Sequence, residues 1–351
     1  MVLDFYAASY GAAGFASAFP KVFSPDRFRR LYIIKGGPGT GKSTFMKRLG
    51  ARAENEGMNV EYYHCSSDPS SLDGVIIPDM RCAVIDGTAP HTTDPIYPAA
   101  ADSILNFGAF IDVEKAGRER ERIVELSKRI SESYSNIRVL LSAAKTLYDE
   151  RTKETEKRMI RDKLKKCALK FNLKSGDEVR PYASNAAGET RWISSSVPGG
   201  GKLHDRIFEN YRTYTVAGRR ENAACFIENA AGIAERSGNT VVRCPAPGYG
   251  GLEAVLIAEN GIAYIASEED RGEGKINADR FFTPSKTSGY AKLCKKIERR
   301  LLSASDAAFT EISRLHGELE EIYGGCTDFE SLTEYTLAAE EMIFRSGGSA
   351  K

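Results

Sequence analysis

The chain has 351 residues, 42% hydrophobic and 28% charged, with a formal net charge of +1. Its length and apolar content suffice for about two domains with proper cores, and the balanced charge argues against a dedicated nucleic-acid binder, which carries a concentrated basic excess. The seven cysteines, at 65, 82, 167, 225, 244, 294 and 326, form no C-x-x-C pair and sit mostly in apolar segments, as reduced core thiols of a cytoplasmic protein would.

Near the N-terminus Asp4 stands where a secretory signal wants Lys or Arg, and no stretch reaches the roughly eighteen uninterrupted apolar residues of a membrane span, so neither secretion nor a membrane is expected. The first clear element is a strand at Arg30, Leu31, Tyr32, Ile33 and Ile34. It runs into Gly36-Gly37-Pro38-Gly39-Thr40-Gly41-Lys42-Ser43-Thr44, which matches the phosphate-loop pattern G-x-x-x-x-G-K-[ST] from Gly36 through Ser43. Glycines allow the backbone to fold into a concave nest of N–H groups, a shape that holds a polyphosphate. Lys42 would then reach the β and γ phosphates of ATP, Ser43 would offer its hydroxyl to Mg²⁺, and the helix beginning near Lys42 would point its positive end at the anion. Phe45, Met46 and Leu49 at helical spacing, with Gly57 as the stop, predict a helix over Thr44 to Glu56.

Beyond it a strand is expected at Val60 to Cys65. The run Cys82-Ala83-Val84-Ile85-Asp86 has no polar residue until its last position, which fits a parallel strand covered on both faces with Asp86 emerging at the carboxyl edge. There Asp86 would hold Mg²⁺ as the Walker B aspartate, unless it merely opens the turn at Gly87. No glutamate follows Asp86, so a base or water-orienting group must come from elsewhere. Asp68, Asp73, His91 and Asp94 are the candidates, although a loop aspartate beside Pro or Gly is also a turn former, and His91 beside Pro90 reads equally as a loop residue.

Ile123, Leu126, Ile130, Ile137, Leu141 and Tyr148 form the apolar stripe of a long charged helix, and a second helix from about Arg151 to Phe171 is expected to return alongside, giving a helical hairpin over about 114–172. Arg118, Arg120 and Arg122 on it could present a finger to a phosphate, but a solvated face is the simpler explanation of them. Leu293, Ile297, Leu301, Ile312, Leu315, Leu319 and Ile322 repeat the stripe, and Thr327 with Glu330 reads as a capping box opening a last helix, so a second hairpin is expected over about 286–346.

The chain also carries internal similarity. Tyr32 to Gly36 pairs with Tyr214 to Gly218, Leu72 to Ile77 with Leu252 to Ile257, Cys82 to Ile85 with Ile262 to Ile265, and the approach Tyr6-Ala7 with Tyr182-Ala183, although any two strand-helix-strand units share apolar periodicity. In the second half Arg219, Arg220, Glu221, Asn222, Ala223 and Ala224 replace the glycine nest and its lysine, and Ala266 replaces Asp86. Gly199-Gly200-Gly201-Lys202 and Gly248-Tyr249-Gly250-Gly251 lack the spacing or the preceding strand and read as loops.

The tandem arrangement, Gly36 to Thr44, His64-Cys65-Ser66-Ser67-Asp68 and Asp86-Gly87-Thr88-Ala89-Pro90-His91 together resemble a bacterial family of duplicated P-loop NTPases with generic labels such as ATPase or nucleotide kinase. The resemblance spans nearly the whole chain and implies a cytoplasmic α/β P-loop fold, with ATP and Mg²⁺ at Gly36 to Thr44 and Asp86. In that family the second half can keep its own phosphate loop, and this sequence departs there. The expected architecture is therefore a parallel sheet flanked by helices in two tandem copies, 1–175 active and 176–351 degenerate.

Three functions follow as expectations. The first is ATP hydrolysis in the N-terminal half, with Lys42, Asp86 and Asp68 as catalytic groups. The second is phosphotransfer, in which the loop containing Asp68 and Asp73 activates a small acceptor hydroxyl. The third is a nucleotide-dependent switch or scaffold with little turnover, its helical hairpins serving as a lid or as arms for a protein partner or a second copy of the chain.

Overall fold

The structure, a computed structural model, describes residues 1–172, 190–197, 201–269, 271–284 and 288–347. In chain order these form β1 (Val2–Tyr6), β2 (Ala8–Gly11), β3 (Gly14–Ser17), α1 (Phe19–Val22), β4 (Arg30–Lys35), α2 (Lys42–Asn55), β5 (Val60–His64), β6 (Leu72–Ile77), β7 (Cys82–Asp86) and β8 (Asp102–Asn106). After them come α3 (Val113–Arg118), α4 (Arg120–Thr152), α5 (Arg161–Asn172), α6 (Asp205–Asn210), β9 (Arg212–Ala217), α7 (Arg220–Arg236), β10 (Val241–Pro245), β11 (Leu252–Ile257), β12 (Ile262–Ala266), β13 (Gly274–Asn277), α8 (Gly289–Gly325) and α9 (Phe329–Gly347). Tyr182, Ala183, Gly199 and Gly200 lie outside the described residues.

The chain is α/β and divides into two compact units: Met1–Ala7, Phe19–Asn136 and Ala307–Lys351 form the first, and Ala8–Ala18 with Ile137–Asp306 the second. This division differs from the one expected between residues 175 and 176, because α4 and α8 each run from one unit into the other.

Unit 1 is built on a six-stranded sheet in the order β1-β5-β6-β7-β4-β8. β4 runs parallel to β7 and β8, and β1 parallel to β5, but β6 is antiparallel to both its neighbours. The all-parallel expectation is thus corrected to a mixed sheet. The reason is connection length: Cys65 to Ser71 and Pro78 to Arg81 are too short for the crossover of about a dozen residues that parallel neighbours need. One face of the sheet carries a core in which Tyr32, Ile34, Val84 and Leu105 meet Phe45, Met46, Leu49 and Ala53 of α2.

Unit 2 has a five-stranded sheet in the order β10-β11-β12-β9-β13, again with β9 parallel to its two neighbours and β11 antiparallel to its own. Its strands repeat the sense and order of β5-β6-β7-β4-β8. A register shift interrupts β5 between Tyr63 and His64, and another interrupts β10 between Cys244 and Pro245. Phe226, Ile227 and Ala230 of α7 fill its core with Tyr214, Val216, Val255 and Tyr264.

The expected hairpins are not formed. α5 does not return along α4: Leu164 and Ala168 enter the unit 2 core, beside Phe226 and Phe281. α9 likewise leaves α8 and places Leu332, Ala339, Ile343 and Phe344 in the unit 1 core. Backbone pairing guides both departures. Ile160 donates its N–H to Phe281 O at 2.7 Å and Asp328 its N–H to Phe110 O at 2.9 Å, so each incoming helix is tied to the turn that follows the edge strand it meets. α4 and α8 instead pair with one another, through Arg122 with Glu318 and Arg129 with Glu311 in unit 1, and Arg151 with Glu298 in unit 2. Amphipathic stripes demand partners without naming them, and here the partners are distant in sequence.

Smaller corrections follow the same logic. α9 is capped by Asp328, whose carboxylate accepts the Ser331 N–H and hydroxyl, while Thr327 donates its hydroxyl back to Tyr323 O. All seven cysteines are free, and burial pushes the Cys82 thiol up to about 12 and the Cys225 thiol up to about 11. No helix among the described residues is long and apolar enough to cross a membrane.

Candidate functional site

The apolar run of β4 delivers the chain to the carboxyl edge of the unit 1 sheet, and the glycines turn it there into α2. Gly39 and Gly41 take φ values of +69° and +78°, the left-handed region where a side chain is strained. Buried Thr40 closes the turn by donating its hydroxyl to Gly37 O at 2.8 Å, and the first helical bond runs from Phe45 N–H to Gly41 O at 3.0 Å. The N-terminal amides of α2 therefore open onto the loop.

Lys42 leans over the same loop. Its ammonium donates to Gly37 O at 2.7 Å and Gly36 O at 3.2 Å, and lies 3.5 Å from Asp86 Oδ2. Asp86 comes to it on β7, which is registered against β4 so that Asp86 faces Ile34. The other carboxylate oxygen, Oδ1, accepts the Thr88 N–H at 2.9 Å and the Thr88 hydroxyl at 2.5 Å, which fixes its rotamer. The Ser43 hydroxyl accepts the N–H of Leu72 at 3.0 Å and keeps its second lone pair and its proton. The loop, Lys42, Ser43 and Asp86 thus converge at one sheet edge.

Asp68 is engaged differently. Its carboxylate accepts the N–H and hydroxyl of Ser70 and the hydroxyl of Ser71, an Asx-type turn. Burial alone would raise this carboxyl, but the serine hydrogen bonds and Lys47 outweigh it and hold the group below its ordinary value, which makes it a weak proton acceptor. Asp94 is spent on Lys35 at 2.8 Å. Asp73 and His91, both buried, meet at 3.1 Å between Oδ2 and Nε2, with Phe19 stacked on the imidazole at 4.4 Å. Arg122 of the arginine cluster pairs with Glu318 and Glu125.

Three residues were not anticipated. The last turns of α8 pack directly on the phosphate loop: a Cβ at Gly39 would stand 2.6 Å from Glu320 O, and one at Gly37 would stand 2.8 Å from the Tyr323 ring. The glycines are required by this close approach as well as by the turn. Glu320 is exposed on α8, but partial desolvation against the loop raises its carboxyl, the charge of Asp68 raises it further, and Lys42 partly offsets both. One turn earlier, burial lowers His316, with Asp68 opposing. In the sequence Glu320 sits on the charged side of an amphipathic stripe, and nothing there distinguishes it from a solvated glutamate.

The corresponding turn of unit 2 is closed by its own acids. Gly218 donates its N–H to Glu268 Oε1 at 3.0 Å, and Arg219 its N–H to Asp279 Oδ1 at 3.0 Å. Asn222 adds a side-chain bond to the same Asp279 oxygen at 2.7 Å. Arg220 is drawn away, its guanidinium 5.5 Å from the Tyr148 ring centroid and 5.2 Å from that of Tyr249. Gly248, Gly250 and Gly251 take positive φ in the loop between β10 and β11 and form no nest at a helix start.

Comparison of the chain with known protein families, curated proteins and solved structures finds no match.

Proposed function

We propose that unit 1 binds a nucleoside triphosphate, with ATP as the expected one, together with Mg²⁺ on the P-loop plan, and hydrolyses it, and that unit 2 is a degenerate copy of the same element. One observation carries the reading: a strand-to-helix turn of the P-loop pattern holds the Lys42 ammonium between two of its own carbonyls and, at 3.5 Å, Asp86.

The residues fit such a ligand. Positive-φ glycines turn the chain sharply into α2, the amides at the start of α2 are donors suited to phosphate oxygens, and a serine hydroxyl with an aspartate is a hard oxygen set suited to Mg²⁺. Mg²⁺ supplies neutralisation of charge on the β and γ oxygens when bound. Lys42 is positioned to follow the charge that develops on the transferred phosphoryl, already held by carbonyls that orient it without neutralising it. Asp86, fixed by Thr88, keeps one oxygen toward Lys42 and is available to an outer-sphere water.

The degenerate-copy reading is supported by the matching strand order, the matching register shifts, and the carboxylates of Asp279 and Glu268 on the amides where an anion would otherwise bind. Seven free cysteines support a cytoplasmic location. A phosphotransfer reading draws on the buried Asp73–His91 pair, whose carboxylate would orient the imidazole if it served an acceptor hydroxyl. The two are separated by measuring phosphate release from Mg-ATP alone: release without an added acceptor supports hydrolysis, and release or transfer only with a metabolite panel supports phosphotransfer. Absence of both, together with absence of binding, refutes the site.

A further inference from the structure

We propose that Glu320, from the C-terminal end of α8, is the carboxylate that orients the attacking water and takes its proton. The proposal rests on the nucleotide site described above. Asp86 is followed by Gly87 and Thr88 rather than by a glutamate, so the strand that normally carries such a group supplies none.

Position argues for Glu320. The backbone of α8 lies against Gly39 at Glu320, and the Tyr323 ring lies against Gly37. The α-carbon of Glu320 is therefore held beside the middle of the phosphate loop. His316 precedes Glu320 by one helical turn, on the same face, and both feel the charge of Asp68, which places that face toward the loop after β5. The charge of Lys42 also reaches Glu320. The carboxylate is therefore within the field of the group that holds the phosphates, while Asp68 is already saturated by Ser70 and Ser71.

The step balances without a further reagent. The water oxygen bonds to the γ phosphorus as the bond from phosphorus to the bridging oxygen breaks, and that electron pair leaves on the nucleoside diphosphate. The water proton passes to the Glu320 carboxylate and from there to solvent. A carboxyl held above its ordinary value is a better acceptor for that proton than Asp68, which is held below its own.

Glu320→Gln tests this on the whole chain, with Glu321→Gln, exposed beside it, as the control. Wild type without nucleotide should show a glutamate carboxyl ¹³C resonance titrating above 4.5 that is absent from Glu320→Gln. With Mg-ATP, the variant should bind within about threefold of wild type by calorimetry, while turnover falls roughly 10²- to 10⁴-fold. Glu320→Asp should recover part of the loss, and Glu321→Gln should behave as wild type. Retained turnover in Glu320→Gln overturns the proposal and leaves the nucleotide site standing. Loss of binding in parallel with turnover also overturns it, since Glu320 would then be only a wall of the loop. If wild type itself binds no nucleotide, the site and this proposal fall together.

Discussion

Lys42 Nζ lies 3.5 Å from Asp86 Oδ2, an ion pair between the first residue of α2 and the last residue of β7. Both side chains are largely enclosed, at 10% and 17% exposure, so neither charge is sitting in bulk water. A cation and an acid held together at a glycine-rich strand-to-helix turn form a poised arrangement, because a phosphate anion can take over the lysine and a metal ion the aspartate. Asp86→Asn should therefore weaken Mg²⁺-dependent nucleotide binding more than metal-free binding. Titrations with and without Mg²⁺ check this, and equal losses in both would contradict it.

The close packing of α8 on the loop predicts strong sensitivity at Gly39. Its φ of +69° and the 2.6 Å approach of Glu320 O leave no room for a methyl group. Gly39→Ala should cost about 1–3 kcal/mol of stability through strain and displacement, and should lower nucleotide affinity, because the nest must open to relieve the contact. Urea unfolding and calorimetry measure the two effects. Unchanged stability would mean that α8 does not rest on the loop.

Burial holds His316 below its ordinary value of 6.5, and Asp68 only partly offsets this. The folded protein then binds fewer protons at His316 than the unfolded chain, so its contribution is fully present above 6.5 and is lost as pH falls through 6.5 toward the folded value. Glu320, held above 4.5, acts with the opposite sign, its contribution present below 4.5 and lost as pH rises through its folded value. Wild type should lose more stability than His316→Gln between about pH 7.5 and pH 5.5. Equal slopes of the unfolding midpoint against pH would contradict the assignment.

The departure of α9 from α8 predicts where unit 1 gets its core. Ile343 is fully enclosed, and its substitution by alanine should cost about 2–5 kcal/mol. Arg48 and Arg52 of α2 pair with Glu340 on the same helix, so α9 is fixed to the helix that begins at the phosphate loop. Hydrogen exchange should therefore show loss of protection in α2 when Ile343→Ala is introduced. Loss confined to α9 would mean that the helix is an appendage.

What was legible in the sequence was local. Gly36 to Ser43 lie together, and the run Cys82 to Asp86 announces its own edge, so their convergence needs only the sheet. The antiparallel sense of β6 was not read, although Pro78 to Arg81 cannot hold a crossover, because hydrophobic runs alone do not distinguish parallel from antiparallel strands. The placement of α5 and α9 was not legible, because an apolar stripe such as Leu332, Ala339 and Ile343 fits any complementary groove. Glu320 was hidden for the same reason. Its significance comes from a backbone contact with Gly39, a residue far away in the chain, which no spacing encodes.

Unit 2 gives a prediction of silence. Asp279 accepts from Arg219 N–H and the Asn222 side chain at 3.0 and 2.7 Å. Replacing it by alanine should cost about 1.5–3 kcal/mol, the scale of a hydrogen bond to a charged group, and should leave nucleotide binding as it was. Arg219→Ala should leave binding equally untouched. A large loss of affinity in either variant would show that unit 2 takes part in the nucleotide site.

The most direct test of the central claim is calorimetric titration of the full chain with a nonhydrolysable Mg-ATP analogue, beside Lys42→Ala of equal thermal stability. The expected result is one site per chain in the wild type and none measurable in Lys42→Ala. Equal binding by the two proteins, or two sites per chain, would contradict the assignment of the nucleotide to the loop at Gly36 to Thr44.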